Sequence, residues 1–468
     1  ILILSTRYLY GRMLASVNSV GTFSIWDLEG PGAVRLPLHG HRGEVEDIYF
    51  DSSGRVLAVH ASDATPLVWD LNTTPPRSIS LARHHGAVGT LELSSDGKLL
   101  ASGDFKTVRL WDLSKSPPTS TKLHDHRVSV WRIRFSSDGR FIASSDGEDI
   151  ILSDLRLKSS KLFPAVDHHG HVRDFTFSPD GQSFISAGME GTLVFRDLAV
   201  NPPRTTFLTG HQQNEMETVT YSPDGKSFVS TDRQRDVWLW DLSEREPRPI
   251  ALPSRKGYLR RPVFSPDSAK LVIGCEDNLL QLIDLTVPSS SAVSLEGISG
   301  NCSQIVFSPN GHLMASTDLS GTVILWDMKT HPTLLARLPT YRGGSRGGSW
   351  MGKLVFNPTS KVLASSNEEG LLLLWDVTVN PPKSITLSHD QRNVKALSFS
   401  PDGRFLAAGS PQGLLTLWDV NFESLSDKAC RIANRNLRRT EWLEYLTEDS
   451  YRPTCKDLPI EELVNQKR

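Results

Sequence analysis

Val172-Arg-Asp-Phe-Thr-Phe177, Ser178-Pro-Asp-Gly181, Ser183-Phe-Ile-Ser-Ala187 and Thr192-Leu-Val-Phe-Arg-Asp197 follow one another within a chain of 468 residues. The first segment alternates apolar and polar side chains, as a half-buried strand does. In the second, proline presets φ and glycine accepts positive φ, so the chain can reverse within four residues. The third and fourth are again short strand-like runs, with Gly188-Met-Glu-Gly191 as the turn between them. Pro202-Pro203 then interrupts pairing before a short outer strand from Thr205 to Leu208, where a missing N–H at a rim entry costs little. Together these segments read as one four-stranded antiparallel unit ending in aspartate.

The unit recurs along the chain. Apolar runs close at Asp27, Asp70, Asp112, Asp154, Asp197, Asp241, Asp284, Asp327, Asp376 and Asp419, separated by 43, 42, 42, 43, 44, 43, 43, 49 and 43 residues. Trp26, Trp69, Trp111, Trp240, Trp326, Trp375 and Trp418 directly precede seven of these aspartates. The tight turn returns as Ser222-Pro-Asp-Gly225, Ser308-Pro-Asn-Gly311 and Ser400-Pro-Asp-Gly403, with degraded copies at Ser94-Ser-Asp-Gly97 and Ser136-Ser-Asp-Gly139. A period near 43 with this signature predicts stacked four-stranded blades, each packing only on its neighbours. Ring closure protects strand edges that an open array would expose.

On these turns and dipeptides the chain resembles the WD-repeat β-propellers over roughly residues 1–420. The expected class is all-β: a propeller of four-stranded antiparallel blades in ten repeat units, followed by a short α-helical tail. The resemblance implies a linked His, Ser or Thr, Asp and Trp within a blade. The third unit offers His84, Ser102, Asp104 and Trp111, and the sixth offers His211, Ser230, Asp232 and Trp240; Trp326, Trp375 and Trp418 are structural in the same sense. The units closing at Ser153-Asp154, Arg196-Asp197 and Ile283-Asp284 lack the tryptophan and are expected to be less rigid, unless packing substitutes for the network. Seven blades is the usual closure in this family. The expected division is therefore three blades in 1–118, the remnant of a truncated upstream propeller, a seven-bladed ring in 119–421, and the tail in 422–468 packed on it. In that arrangement Thr119–Leu123 supplies the outer strand of the tenth unit. One larger or open ring of ten units is the alternative.

Composition sets further bounds. A hydrophobic content of 38% with 22% charged residues is that of a soluble globular protein, and a net charge of −2 gives no general attraction to nucleic acid or membrane. No apolar run approaches the roughly 20 residues that span a bilayer. Four cysteines, Cys275, Cys302, Cys430 and Cys455, are too sparse for a disulfide scaffold, which points to a reducing cytoplasmic setting. The chain opens Ile-Leu-Ile-Leu, without methionine and already strand-like, and reads as a fragment of something longer.

After Asp419 the strand pattern stops. Ser426 to Asn434 places Ala429, Ile432 and Ala433 on one helical face, and Thr440 caps a second short helix bearing Trp442, Tyr445 and Leu446. Cys430 and Cys455 are read as buried thiols, with a disulfide as the alternative. The run from Cys430 through Asn434, Arg435, Asn436 and Leu437 to Glu441-Trp442 and Tyr451-Arg-Pro-Thr-Cys455 is similar to the C-terminal end of large, mostly bacterial WD-repeat signalling proteins. In many of those the propellers follow a nucleotide-binding module of the STAND class, or a caspase-like, TIR or kinase module, and act as sensor or scaffold.

Several local motifs lead nowhere. Gly347-Gly-Ser-Trp-Met-Gly-Lys353 fits the start of a phosphate-binding loop, but Leu354 stands where Ser or Thr is required and a strand follows instead of a helix. Gly343-Gly-Ser-Arg-Gly347 lacks the strand–turn–helix context of a nucleophile elbow. Histidines in His124-Asp-His126 and Asp167-His-His-Gly-His171 fall at the recurring link between outer and inner strands and read as structural, not as zinc ligands. Basic residues concentrate in loops predicted on one face: Arg233, Arg235, Arg255, Lys256, Arg260, Arg261, Arg342, Arg346 and Arg392. With Trp350 and with Trp131, which begins an inner strand near the channel rim, they form the candidate interaction surface. No catalytic set, cofactor or metal is indicated. The expected function is a non-catalytic interaction scaffold or ligand-sensing module of a larger signalling protein, holding a protein or peptide partner on the loop-bearing face and joined to upstream domains of its parent chain; nucleic acid and membrane are not expected partners. A stand-alone assembly scaffold and a channel-pocket enzyme are the competing readings.

Overall fold

The computed structural model describes residues between Met13 and Val420 except for loop segments, the longest being 253–261 and 339–352; residues 1–12 and 421–468 lie outside the described residues. The helical tail, with Cys430 and Cys455, and the 340–350 loop therefore fall outside them. What is described folds into ten antiparallel sheets in chain order, here sheets 1 to 10. Sheets 2 to 9 have four strands each; sheets 1 and 10 have three among the described residues.

Sheet 5 shows how the sequence builds the unit. Its strands are Val172–Phe177, Ser183–Gly188, Leu193–Asp197 and Arg204–Leu208, paired in that order. Because successive strand residues point to opposite faces, Phe184 packs with Phe141, Leu152 and Phe175 between sheets 4 and 5, while Ile185 packs with Met216, Phe228 and Trp240 between sheets 5 and 6. Both Phe184 and Ile185 are fully buried. Burying two apolar faces per sheet is what makes these strands nearly continuous apolar runs.

The same interleaving runs along the chain. Leu91, Leu100 and Trp111 of sheet 3 meet Ala58 and Val68 of sheet 2, and Ala101 and Val108 of sheet 3 meet Val130, Ile133 and Ile142 at sheet 4. Leu239 and Ile283 share a cluster across sheets 6 and 7, Leu282 and Trp326 across 7 and 8, Leu325 and Trp375 across 8 and 9, and Leu374 and Leu406 across 9 and 10. Trp26 of sheet 1 packs on Phe405 and Ala407 of sheet 10.

One expected pairing is corrected. Thr119–Asp125 pairs with Thr107–Asp112 and completes sheet 3, not sheet 10. The reason is local: the segment follows Asp112 after a short Pro-Pro turn and bonds to the strand it has just left, as the outer strands of the other four-stranded sheets do. Residue 119 thus begins the fourth strand of a sheet.

The four-residue turns are held by their own side chains. In Ser178-Pro-Asp-Gly181, Gly181 N–H donates to Ser178 C=O at 2.9 Å, the Ser178 hydroxyl donates to Asp180 at 2.6 Å and accepts from Ser183 N–H at 2.9 Å, and Gly181 sits at φ +71°. Two turns hold this left-handed position with serine: Ser268 at φ 60° and Ser360 at φ 61°. In each the hydroxyl accepts a backbone N–H from the turn of the preceding sheet, Asp224 to Ser268 at 3.0 Å and Asn310 to Ser360 at 3.2 Å. A side chain that strains its own backbone thereby links two sheets.

Candidate functional site

Within the blades, short polar chains cross the apolar core. Trp111 Nε1–H donates to Ser102 Oγ at 2.8 Å, Ser102 lies 2.6 Å from His84 Nε2, and His84 Nδ1 lies 3.1 Å from Asp104. Sheet 6 repeats it: Trp240 to Ser230 at 2.8 Å, Ser230 to His211 at 2.7 Å, His211 to Asp232 at 2.9 Å. Burial works to raise the Asp104 carboxyl, but the backbone N–H groups of Lys106 and Thr107 and the His84 ring outweigh it and hold its pKa below the ordinary value. Asp232 is lowered in the same way, burial being outweighed by His211, Asp236 N–H and Asn214. Each group faces a partner of the right kind, so the chain is a satisfied structural relay rather than a reactive one. Trp375 donates to Ser365 at 2.9 Å, Trp326 is buried in sheet 8, and Trp418 is half-buried in sheet 10.

Where the tryptophan is missing, something else occupies its place. In sheet 4, Ser144 stands where Ser102 and Ser230 stand, and two imidazoles converge on its hydroxyl, His124 Nε2 at 2.7 Å and His126 Nε2 at 2.8 Å. His124 also reaches Ser153, the tryptophan substitute, at 3.4 Å. The rings meet edge-on at 5.3 Å. Burial, followed by the neighbouring His126, pushes the His124 pKa down to about 3, and burial lowers His126 despite Asp146 3.5 Å away. One hydroxyl donates to one neutral ring and accepts from the other. In sheet 5, His168 joins Ser186 at 2.9 Å and Glu190 at 2.8 Å, with Arg196 buried at the tryptophan position; in sheet 7, Ile283 is fully buried there.

The rim where the first strands of sheets 4, 5 and 6 begin is different in kind. A cavity of about 280 Å³ opens there, lined by Trp131, Arg132, Arg173, Asp174, Glu217 and Thr218, with Thr231 behind them. Arg132 pairs with Asp174 at 2.5 Å and lies over Phe175, 4.9 Å from its ring centre. Asp174 also accepts from the Thr218 hydroxyl at 3.1 Å and Val219 N–H at 3.2 Å, so one carboxylate ties three sheets together. Trp131 is 42% exposed, and its indole nitrogen lies 3.4 Å from where a Cβ on Gly147 would be. Gly147, at φ +93°, is the residue that lets the ring lie so close to the backbone. Phe105, 65% exposed, and Val128 emerge from the adjoining turn and link, where His126 N–H bonds Lys106 C=O at 2.7 Å and Val130 N–H bonds Asp104 C=O at 3.3 Å.

Of the sequence-derived surface residues, Trp131 and Arg233 are described. Arg233 is exposed and pairs with Glu215 at 2.8 Å, so around sheets 4 to 6 the rim alternates in sign instead of being uniformly basic. Arg235, Arg255, Lys256, Arg260, Arg261, Arg342, Arg346, Trp350 and Arg392 lie outside the described residues. Phe105, Arg173, Asp174 and Glu217 also belong to this rim, and no repeat or motif in the sequence marks them.

Six segments, residues 76–112, 117–151, 162–197, 202–241, 290–327 and 382–419, match the WD domain, G-beta repeat (WD40). The fold is a WD-repeat β-propeller. Among solved structures, the C-terminal WD40 domain of Sif2 is similar at 17% identity with a TM-score of 0.43, over 71% of this chain and 96% of that one. No curated protein matches the chain. The matched segments cover the blades that carry the rim cavity; of the three units without the tryptophan, 162–197 is matched through Arg196, and 117–151 stops just short of Ser153.

Proposed function

We propose that this propeller is the non-catalytic interaction module of a larger signalling protein and holds a protein or peptide partner on the face where its first strands begin. WD40 domains commonly bind proteins or peptides, and rigid sheets presenting many turns on one rim suit that task. The observation that carries the reading is the exposure of Trp131 in the wall of a charged cavity, with Phe105 and Val128 exposed on the adjoining turn and link; the other strongly exposed aromatic ring, Phe207, lies on the outer strand of sheet 5. The polar chains of sheets 3 and 6 are paired end to end, and among the described residues no acid, base and nucleophile converge on that cavity. The signalling context, with a STAND-class, caspase-like, TIR or kinase module upstream and a bacterial cytoplasm as its setting, is supported by the likeness of the Cys430–Cys455 tail.

Affinity capture with the full chain, compared with a Phe105→Ser, Trp131→Ala double variant and read by mass spectrometry, tests the proposal. Both side chains are exposed, so the variant keeps its fold. The expected result is a set of proteins retained by the wild type and lost by the variant. Equal retention overturns the assignment of the face, and retention of nothing by either overturns the interaction module.

A further inference from the structure

The rim cavity owes its chemistry to two backbone irregularities. In sheet 5, Val172 pairs with Gly188 and Asp174 with Ala187, leaving Arg173 as an extra residue; in sheet 6, Met216 pairs with Asp232 and Thr218 with Thr231, leaving Glu217 extra. A bulge takes one residue out of the ladder and re-aims its side chain. Both re-aimed side chains line the same cavity and both are exposed. Among the described residues neither has a hydrogen-bond or ion-pair partner, whereas Arg132 and Asp174 beside them are committed to each other. Sheet 4 has no bulge, and contributes Trp131 to the wall instead.

The cavity is thus dipolar. One free guanidinium and one free carboxylate stand on neighbouring sheets, with an indole at one side and further apolar side chains beyond it. A polyanion such as a nucleic-acid backbone would meet Glu217 and Asp174 as well as Arg173, and a purely basic segment would meet Arg173. About 280 Å³ admits one or two side chains and excludes a folded element. Building on the interaction reading above, we propose that this cavity receives a linear, mixed-charge segment of a partner polypeptide. An acidic side chain of that segment sits on Arg173, a basic one on Glu217, and an apolar one against Trp131.

A phage-displayed linear peptide library panned on the full chain, with the enriched peptides synthesised and titrated by fluorescence anisotropy, tests this. Enriched peptides are expected to carry an acidic, a basic and an apolar residue together, and to lose at least tenfold in affinity with Arg173→Glu and with Glu217→Arg. The double charge swap R173E/E217R is expected to recover binding for peptides with the two charges exchanged. Both residues are exposed and outside the strand ladder, and circular dichroism of each variant verifies the fold. Enriched peptides of a single charge sign, or peptides that bind all variants equally, overturn the cavity assignment while leaving the interaction reading intact. Enrichment of nothing, together with empty captures in the preceding experiment, overturns both.

Discussion

Acidification is the sharpest probe of the rebuilt network in sheet 4. His124 is held neutral by burial, with its pKa pushed down to about 3, whereas an unfolded histidine titrates near about 6.5. Near pH 7.5 neither state binds the proton. As the pH falls below about 6.5 the unfolded chain takes it and the folded chain does not, so stability declines steadily toward about pH 3. At about pH 5 the gap is roughly 1.5 pH units, worth about 2 kcal/mol from His124 alone. His126, lowered by the same burial, acts in the same direction. Asp104, Asp146 and Asp232 are lowered too, but their stabilising effect is present above an unfolded value of 3.8 and lost below it, so it is in place at both pH values and adds little to the change between them. Urea unfolding followed by tryptophan fluorescence, run near pH 7.5 and near pH 5 on the wild type and on His124→Gln, isolates the effect. The wild type is expected to lose about 2 kcal/mol more than the variant between the two conditions. An equal loss in both proteins would refute the claim that His124 is buried and neutral.

Trp240→Phe removes the donor to Ser230 and part of the ring that fills the space between sheets 5 and 6, and is expected to cost about 2 to 3 kcal/mol in urea unfolding. Ser268→Ala keeps the strained backbone and loses the bond to Asp224, so it is expected to destabilise by about 1 kcal/mol, while Ser268→Gly loses the bond but relieves the strain and stays within about 0.5 kcal/mol of wild type. Equal midpoints for these two variants would show that strain and bond do not offset each other. Truncation to residues 119–468 bears on the division of the units: it strips the partner strand from Thr119–Asp125 and uncovers Val130 and Ile133, so a lower thermal midpoint and binding of a hydrophobic dye are expected. A fragment as stable as the full chain would favour a self-contained seven-unit ring instead.

What was legible in the sequence was whatever one unit encodes by itself. The strands of sheet 5, the Ser178–Gly181 turn and the Trp111 and Trp240 networks all depend on residues within about 45 positions of each other, arranged identically in several copies. Beyond its place at the recurring link, the role of His124 was not legible, because it reaches Ser144 of sheet 4 from the outer strand of the preceding sheet. The bulges escaped for another reason: alternation along Val172–Phe177 assigns Arg173 to a regular outward position, and only the pairing with Gly188 and Ala187 reveals it as extra. The partner of the strand at Thr119 follows from the short connection to Asp112, which favours pairing with Thr107–Asp112 over the distant tenth sheet that a seven-blade closure requires.

The contact of Trp26 with Phe405 and Ala407 has a consequence for solubility. A linear stack of repeats must end somewhere, and its terminal units need a polar outer face to keep an apolar one from water. Here Ile25 in the first sheet and Ala407 in the last are each fully buried, and the first sheet lies against the last. Each sheet can therefore keep two apolar faces, and no unit has to be spent as a cap.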